Sequence, residues 1–275
     1  MIKWLSVKDF TVFAEARLKL AAMNVIHGEN GSGKTHLLKL AYSVWATLRP
    51  ETSAGAKDSP TKRYLEPELG RKLKAVFRPD ELGRLARRKP GTTKAEVEVR
   101  FRDHEMDTSF SFHTRSVSDV VVSKTPGKWA ELAPVYLPSR EALSVFPGFV
   151  SLYETAVLPF DETWRDLCLQ LDTKLFKGTR PAGVQALLEP LERALGGELR
   201  IEDGRFYLYG QKGRMEIDLV AEGVRKLAML AWLVATRKLS DKGALFWDEP
   251  EASLNPALVK LIAPVLLGLA REGVQ

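Results

Sequence analysis

The chain has 275 residues, of which 45% are hydrophobic and 28% charged, enough for one large domain or two small ones. This excludes a disordered tail, a collagen-like chain and a disulfide scaffold, and the longest apolar run, Leu227 to Ala235, falls short of the about 20 residues a membrane span needs. With 41 basic and 35 acidic residues the net charge is +6, which permits a nucleotide or nucleic-acid partner without requiring one.

In chain order, Ile2 to Val7, Ala14 to Leu20 and Met23 to Ile26 read as strands, the last as a buried run. A Gly-rich turn, Gly28 to Gly33, leads into a helix from Lys34 to about Leu48, with Leu37, Leu38, Ala41, Val44 and Trp45 on one face and Pro50 as its stop. Residues 51–70, rich in Ser, Thr, Gly, Pro, Lys and Glu, read as a mobile loop, and 80–89 as a short basic helix. Lys94 to Arg102 alternates cleanly. With Ser109 to Thr114 and Asp119 to Ser123 it suggests a small antiparallel sheet inserted after the first helix. Ala133 to Leu137 is a buried strand.

Residues 151–195 read as helical, broken at Gly178 to Pro181, where the lone cysteine, Cys168, reads as a small buried hydrophobe. One cysteine allows no intrachain disulfide, which suits a reducing cytoplasm. The opening residues carry no signal-peptide apolar stretch. Short strands follow at Glu198 to Ile201, Phe206 to Tyr209 and Met215 to Leu219. Then come a helix from Gly223 to Lys238, a strand from Gly243 to Trp247, and a helix from Pro256 to Ala270 interrupted or kinked at Pro264. The pattern is α/β with two inserted lobes.

Gly28-Glu29-Asn30-Gly31-Ser32-Gly33-Lys34-Thr35 fits the spacing G-x-x-x-x-G-K-[ST]. Glycines let successive backbone N–H groups turn inward around phosphate oxygens, and the following helix adds the partial positive charge of its N-terminus. Lys34 is placed to reach the β and γ phosphates and the Thr35 hydroxyl to ligate Mg²⁺. At the other end of the chain, the apolar run Ala244 to Trp247 ends in two carboxylates. Asp248 can hold Mg²⁺ through water, and Glu249 can polarise the attacking water. The plainer readings are a Gly-rich strand–helix turn and a solvated acidic strand end.

These two segments, with Val220 to Leu227 between them in the chain, resemble the ATP-binding-cassette ATPases. The likeness is to their soluble branch of recombination, chromosome-maintenance and overcoming-lysogenization-defect ATPases. Thr35-His36-Leu37-Leu38-Lys39 and Pro138-Ser139-Arg140 look typical of small prokaryotic members. The resemblance implies a P-loop NTPase head of ATP-binding-cassette type. Its nucleotide-binding core would be 1–50, 133–140 and 198–275, with a β-rich insertion at 51–132 and a helical lobe at 141–197. It implies ATP and Mg²⁺ as cofactors, with Asn30, Gly31, Ser32, Gly33, Lys34, Thr35 and His36 on the nucleotide. It also implies an ATP-dependent homodimer in which Glu222 and Gly223 of each head face the partner's γ-phosphate. The plainer reading of that segment is a helix start with Glu222 in its first turn. Glu251 to Pro256 resembles the loop that crosses the dimer seam, where Asn255 is also a natural helix cap.

Two departures stand out. No Gln follows the strand at 133–137, where Ser139 or Arg140 would take its place. None of His27, His36, His104 and His113 stands where the family's switch histidine falls, so a chain truncated, split or short of that sensor is expected. The resemblance leaves DNA or RNA, or an effector protein encoded nearby, as partner, in DNA repair or phage defence, with no membrane. An ATP-gated clamp with little turnover is the alternative, and a transporter's nucleotide-binding subunit a third. The basic stretches Lys62-Arg63, Arg71 to Lys74 and Arg84 to Lys89 read either as a solvated face or as contacts to a phosphate backbone. Trp4, Phe10 and Phe13 read as core or as adenine contacts.

Overall fold

A computed structural model describes residues 1–49, 59–175, 178–211, 213–239 and 243–275. The chain divides into two compact units, Met1–Pro134 together with Gln275, and Val135–Val274.

The first unit is built on one antiparallel sheet. Strands β1 (Ile2–Phe10) and β2 (Phe13–Lys19) form a hairpin, and β3 (Lys94–Phe101), β4 (Thr108–His113) and β5 (Val121–Lys124) continue it in the order β2-β1-β3-β4-β5. The expected separate sheet therefore does not exist: β3 pairs directly with β1, Leu5 opposite Val99 and Val7 opposite Val97. The alternation seen in the sequence explains this. Leu5, Val7, Ala95, Val97, Val99, Phe110 and Phe112 are buried, so one apolar face is shared across three strands. Onto this core pack α1 (Lys34–Thr47), through Trp45 edge-on to Phe101, and α2 (Lys62–Phe77), through Phe77 edge-on to Phe10. Gln275 belongs to this unit because its side-chain amide bonds the backbone of Ile2 and Ala21.

Three further expectations fail in this unit. Residues 62–70 are helix, not loop, while 51–58 lie outside the described residues. Thr61 caps the helix, its hydroxyl accepting from the Tyr64 amide, and Leu65, Leu69, Leu73 and Val76 recur at helical spacing and are fully buried. Gly70 is required there, since a Cβ would lie 1.9 Å from the Ser118 carbonyl oxygen. Met23 to Ile26 is not a strand, and Val25 is 77% exposed. Both edges of β1 are already taken, and the Asn24 side chain bonds the Ala21 N–H and C=O, folding the segment into a local bend. Residues 80–89 are not a regular helix: the 3-10 turn Leu82–Leu85 is followed by a β-bridge from Ala86 to Phe10.

In the second unit β6 (Val135–Leu137) pairs in parallel with β10 (Leu245–Trp247), Tyr136 opposite Phe246. Between them run α3 (Phe149–Thr155), α4 (Glu162–Leu171), α5 (Ala182–Leu195), the meander β7 (Gly197–Glu202), β8 (Arg205–Gly210) and β9 (Gly213–Glu216), and α6 (Glu222–Ala235). The last strand stops at Glu216 and passes into a 3-10 turn, Ile217–Leu219, shorter than the expected 215–219. Helix α6 is the centre of the core: Leu227 to Val234 are all buried, as a helix apolar on every side must be. Its Trp232 indole N–H donates to the Leu171 carbonyl at 2.9 Å, and its ring meets Phe206 edge-on. Cys168 lies fully buried in the same core, and burial pushes its thiol up to about 12. Helix α7 (Pro256–Arg271) is continuous through Pro264, so the chain is not interrupted there.

Candidate functional site

The residues singled out in the sequence fall into two groups, one in each unit. In the first unit the loop 28–33 leads into α1. Gly33 is the helix N-cap at φ +93°, and a Cβ there would lie 2.6 Å from the Phe13 ring and from the Val12 side chain. Two constraints therefore select glycine at this position: the left-handed backbone and the close approach of the β1–β2 turn. Gly33 offers no side-chain cap, and Leu37 is the first residue of α1 whose amide bonds back into the loop, to the Gly33 carbonyl at 3.1 Å. A helix start behind a glycine-rich loop is the kind of site that suits an anion.

The Lys34 ammonium lies over the loop, donating to the carbonyls of Gly28 at 2.7 Å and Glu29 at 2.8 Å. Asn30, Gly31 and Ser32 are exposed, and Lys34, Thr35 and His36 are half-buried. The His36 ring sits 5.7 Å from that of Phe77, and burial, then Lys39, hold its pKa below the usual value. An imidazole so placed is neutral at pH 7 and packs as an aromatic. Of the three candidate adenine contacts, Phe10 is core, touching Phe77 and Phe112. Trp4 is half-buried, with the Lys19 ammonium 6.0 Å from its ring centroid. Phe13 is half-buried beside Gly33.

In the second unit the strand pair sets the carboxylates. The Asp248 amide donates to the Leu137 carbonyl at 2.9 Å, carrying the β6–β10 pairing one residue past the strand. Asp248 is half-buried and faces the Tyr136 phenol, whose pKa is raised by burial, then by the Asp248 and Asp161 carboxylates. The chain then turns sharply. Glu249 is exposed at φ +47° and Ser253 at φ +64°, and the turn is closed by Ala252 N–H to Glu249 C=O and Leu254 N–H to Glu251 C=O. Asn255 caps α7, its side chain accepting from the Leu258 amide at 3.0 Å, with Pro256 in the first turn.

Helix α6 supports this turn. Glu222 is half-buried in its first turn, but Gly223 is buried, and a Cβ on it would lie 2.5 Å from the Ser253 carbonyl oxygen. The small size of Gly223 is thus used within this unit. Arg225 pairs with the buried Glu141 at 2.8 Å, and Glu141 also accepts from the backbone and hydroxyl of Ser144. Of the two candidates for the missing Gln, Ser139 is half-buried and Arg140 exposed. Lys226 is fully buried and was not singled out in the sequence. The signal was available: a lysine one helical turn after Gly223, opening a long apolar run.

The donor set suits the expected cofactors. A Gly-punctuated loop under a lysine offers N–H groups and a cation to polyphosphate, and the Thr35 hydroxyl and Asp248 carboxylate are hard oxygen ligands of the kind Mg²⁺ prefers. Among the described residues no helix is long and apolar enough to cross a membrane.

A family model described as "AAA domain, putative AbiEii toxin, Type IV TA system" matches residues 128–275. The crystal structure of an Smc head bound to the C-winged helix domain of ScpA is similar at a TM-score of 0.60 and 16% identity, covering 100% of this chain and 87% of that one. An Smc head domain with an extended coiled coil, bound to the C-terminal domain of ScpA derived from Pyrococcus furiosus, is similar at 0.52 and 12%, covering 100% and 89%. The recombination mediator RecF with ATP matches at 0.47 and 14%, covering 100% and 92%. No curated protein matches the chain. The α/β fold is that of a P-loop head of ATP-binding-cassette type.

Proposed function

The chain belongs to this AAA-domain family, and on that premise we propose that it binds and hydrolyses ATP. The observation that carries the reading is Lys34: its ammonium rests on two loop carbonyls, in a loop whose Gly33 tolerates no side chain. Such a lysine exchanges neutral carbonyls for phosphate oxygens when a nucleotide enters, a stronger charge-assisted contact. The N–H groups from Asn30 to Thr35 hold the β and γ phosphates, with His36 at the edge of that set. Thr35 and, through water, Asp248 would hold Mg²⁺, which would neutralise charge on the phosphates. Glu249 takes a proton from the attacking water while the water oxygen bonds the γ-phosphorus and the bond to the β–γ bridging oxygen breaks, leaving ADP and phosphate.

Closure of two heads on ATP, with Glu222 and Gly223 reading the partner's nucleotide, completes the proposal. Gly223 then serves two purposes, since its own unit already needs it small. The output passes to nucleic acid or to an effector protein in the cytoplasm, in DNA repair or phage defence. The family's description, which names a type IV toxin–antitoxin system, supports the second setting. A slow clamp is the second reading, favoured by Glu141: the residue after Ser139-Arg140 is committed to Arg225 and Ser144 rather than to a ligand.

The test is ATP hydrolysis against protein concentration, with Lys34→Ala as control. Specific activity that rises with concentration and vanishes in the variant supports the dimeric ATPase. Turnover indistinguishable from the variant, with ATP still bound, supports the clamp. No binding of ATP at all contradicts both.

A further inference from the structure

We propose that Lys226 is a positioning residue that, with Gly223, moulds the turn bearing Glu249; this deepens the ATPase reading above and rests on it. Lys226 is fully buried, an unusual place for an ammonium. Burial lowers its pKa, and the carboxylates of Glu222, Glu251, Glu249 and Asp248 oppose that fall. The charge is held by backbone oxygens: its Nζ donates to the Glu249 carbonyl at 3.1 Å and to the Ala252 carbonyl at 2.8 Å. These are the two ends of the tight part of the turn, which is also closed by the Ala252 amide on the Glu249 carbonyl at 3.0 Å.

Glu249 needs such support. Its φ of +47° is one that residues with a Cβ rarely adopt, and an exposed side chain offers little packing to enforce it. Ser253, at φ +64°, repeats the problem four residues on, and there the backbone is pressed against Gly223, where a Cβ would lie 2.5 Å from its carbonyl oxygen. Gly223 and Lys226 stand three apart on α6, hence on one face. One supplies a gap into which the turn sinks, and the other a cation that gathers its carbonyls. Lys226 acts through the backbone of the turn, not on the reacting atoms. Together Gly223 and Lys226 fix where the Glu249 carboxylate points, and α6 itself is locked by the core on its remaining sides.

The expected signature is a loss of kcat without loss of nucleotide affinity. Lys226→Met keeps the length of the stem and removes the donors, taking the ammonium from the Ala252 carbonyl and leaving the Glu249 carbonyl with the Ala252 amide alone. A displacement of the carboxylate by about 1 Å costs on the order of 10²-fold in kcat, while KM for ATP stays within about twofold because the phosphate loop is untouched. Lys226→Arg, which restores a buried donor, recovers part of the loss. Gly223→Ala keeps the ammonium but pushes the turn; because Gly223 also faces the partner's nucleotide in the reading above, this variant is judged by amide exchange at 252 and 254 without nucleotide, which decides the matter if Lys226→Met does not fold. Amide hydrogen exchange of folded protein without nucleotide gives a readout independent of activity. The Ala252 and Leu254 amides exchange faster in Lys226→Met, while those of α6 beyond Leu227 do not.

Unchanged exchange at 252 and 254, or kcat equal to that of the parent, would overturn the role of Lys226. So would a fall in kcat matched by an equal fall in ATP affinity. A parent protein without turnover contradicts the ATPase reading instead, and the exchange experiment still judges Lys226.

Discussion

The phosphate loop of the first unit and the carboxylate turn of the second are held in shape by different means. The loop carries its own determinants. Gly31 and Gly33 supply positive φ, Lys34 folds onto carbonyls five and six residues away, and the helix start supplies the N–H groups. Apart from Val12 and Phe13, these groups lie between Gly28 and Leu37. The turn at 248–254 carries its chemical groups but not its supports. Its strained Glu249 and Ser253 rest on Lys226 and Gly223, between 23 and 30 positions earlier in the chain. A self-contained loop is written as a compact motif. A turn moulded by a neighbouring helix is written as two carboxylates and an unexplained lysine.

The largest effect separates the two regions by what each does to nucleotide. Lys34→Ala removes the side-chain cation that rests on the loop's own carbonyls, and ATP binding and turnover are expected to fall together by about 10²-fold or more, on the order of one lost charge clamp. Isothermal titration against ATP and Mg²⁺ reads this directly. Glu249→Gln is the opposite case. Turnover drops by about 10²- to 10⁴-fold while ATP binding persists, so a variant that loses both would erase the distinction between the regions.

Stability tests come next. Leu69→Ala in α2 empties a fully buried site of the first unit, and a loss of about 2–5 kcal/mol in chemical denaturation is expected. Less than 1 kcal/mol would mean that α2 is not packed as described. Asn255→Ala removes one cap bond of α7 and costs about 0.5–2 kcal/mol. The smallest expected effect is on Cys168. Its thiol is pushed up to about 12, so it stays protonated in the folded protein, and alkylation at pH 8 proceeds only through unfolding. A folded-state pKa above the unfolded one contributes stability that is complete below the ordinary thiol range and is lost as pH rises toward about 12. Rapid labelling of native protein at pH 8 would contradict the burial of this core.

What the sequence made legible follows the same division. Alternation over Lys94 to Arg102 and the motif at 28–35 report local rules, and the strand β3 and the loop stand where those rules put them. Helix α2 was hidden because Pro67 and Gly70 read as loop residues. Gly70 is there for the backbone of Ser118, a contact no local rule contains, and the Leu65, Leu69, Leu73, Val76 spacing decides the segment. Met23 to Ile26 erred the other way: apolar enough for a strand, it is bent by Asn24 onto Ala21. Sheet membership of β3, the packing use of Gly223 and the role of Lys226 all depend on partners far away in the chain. Composition and period carry no trace of such partners beyond a charged residue in an apolar stretch.

The measurement that tests the central claim most directly is the fate of labelled ATP in a single turnover, comparing the parent protein with Glu249→Gln and Lys34→Ala. The account predicts that the parent binds ATP and releases ADP and phosphate. It predicts that Glu249→Gln retains uncleaved ATP, and that Lys34→Ala retains none. Cleavage in Glu249→Gln at the parent's rate, or ATP bound equally by Lys34→Ala, would contradict it.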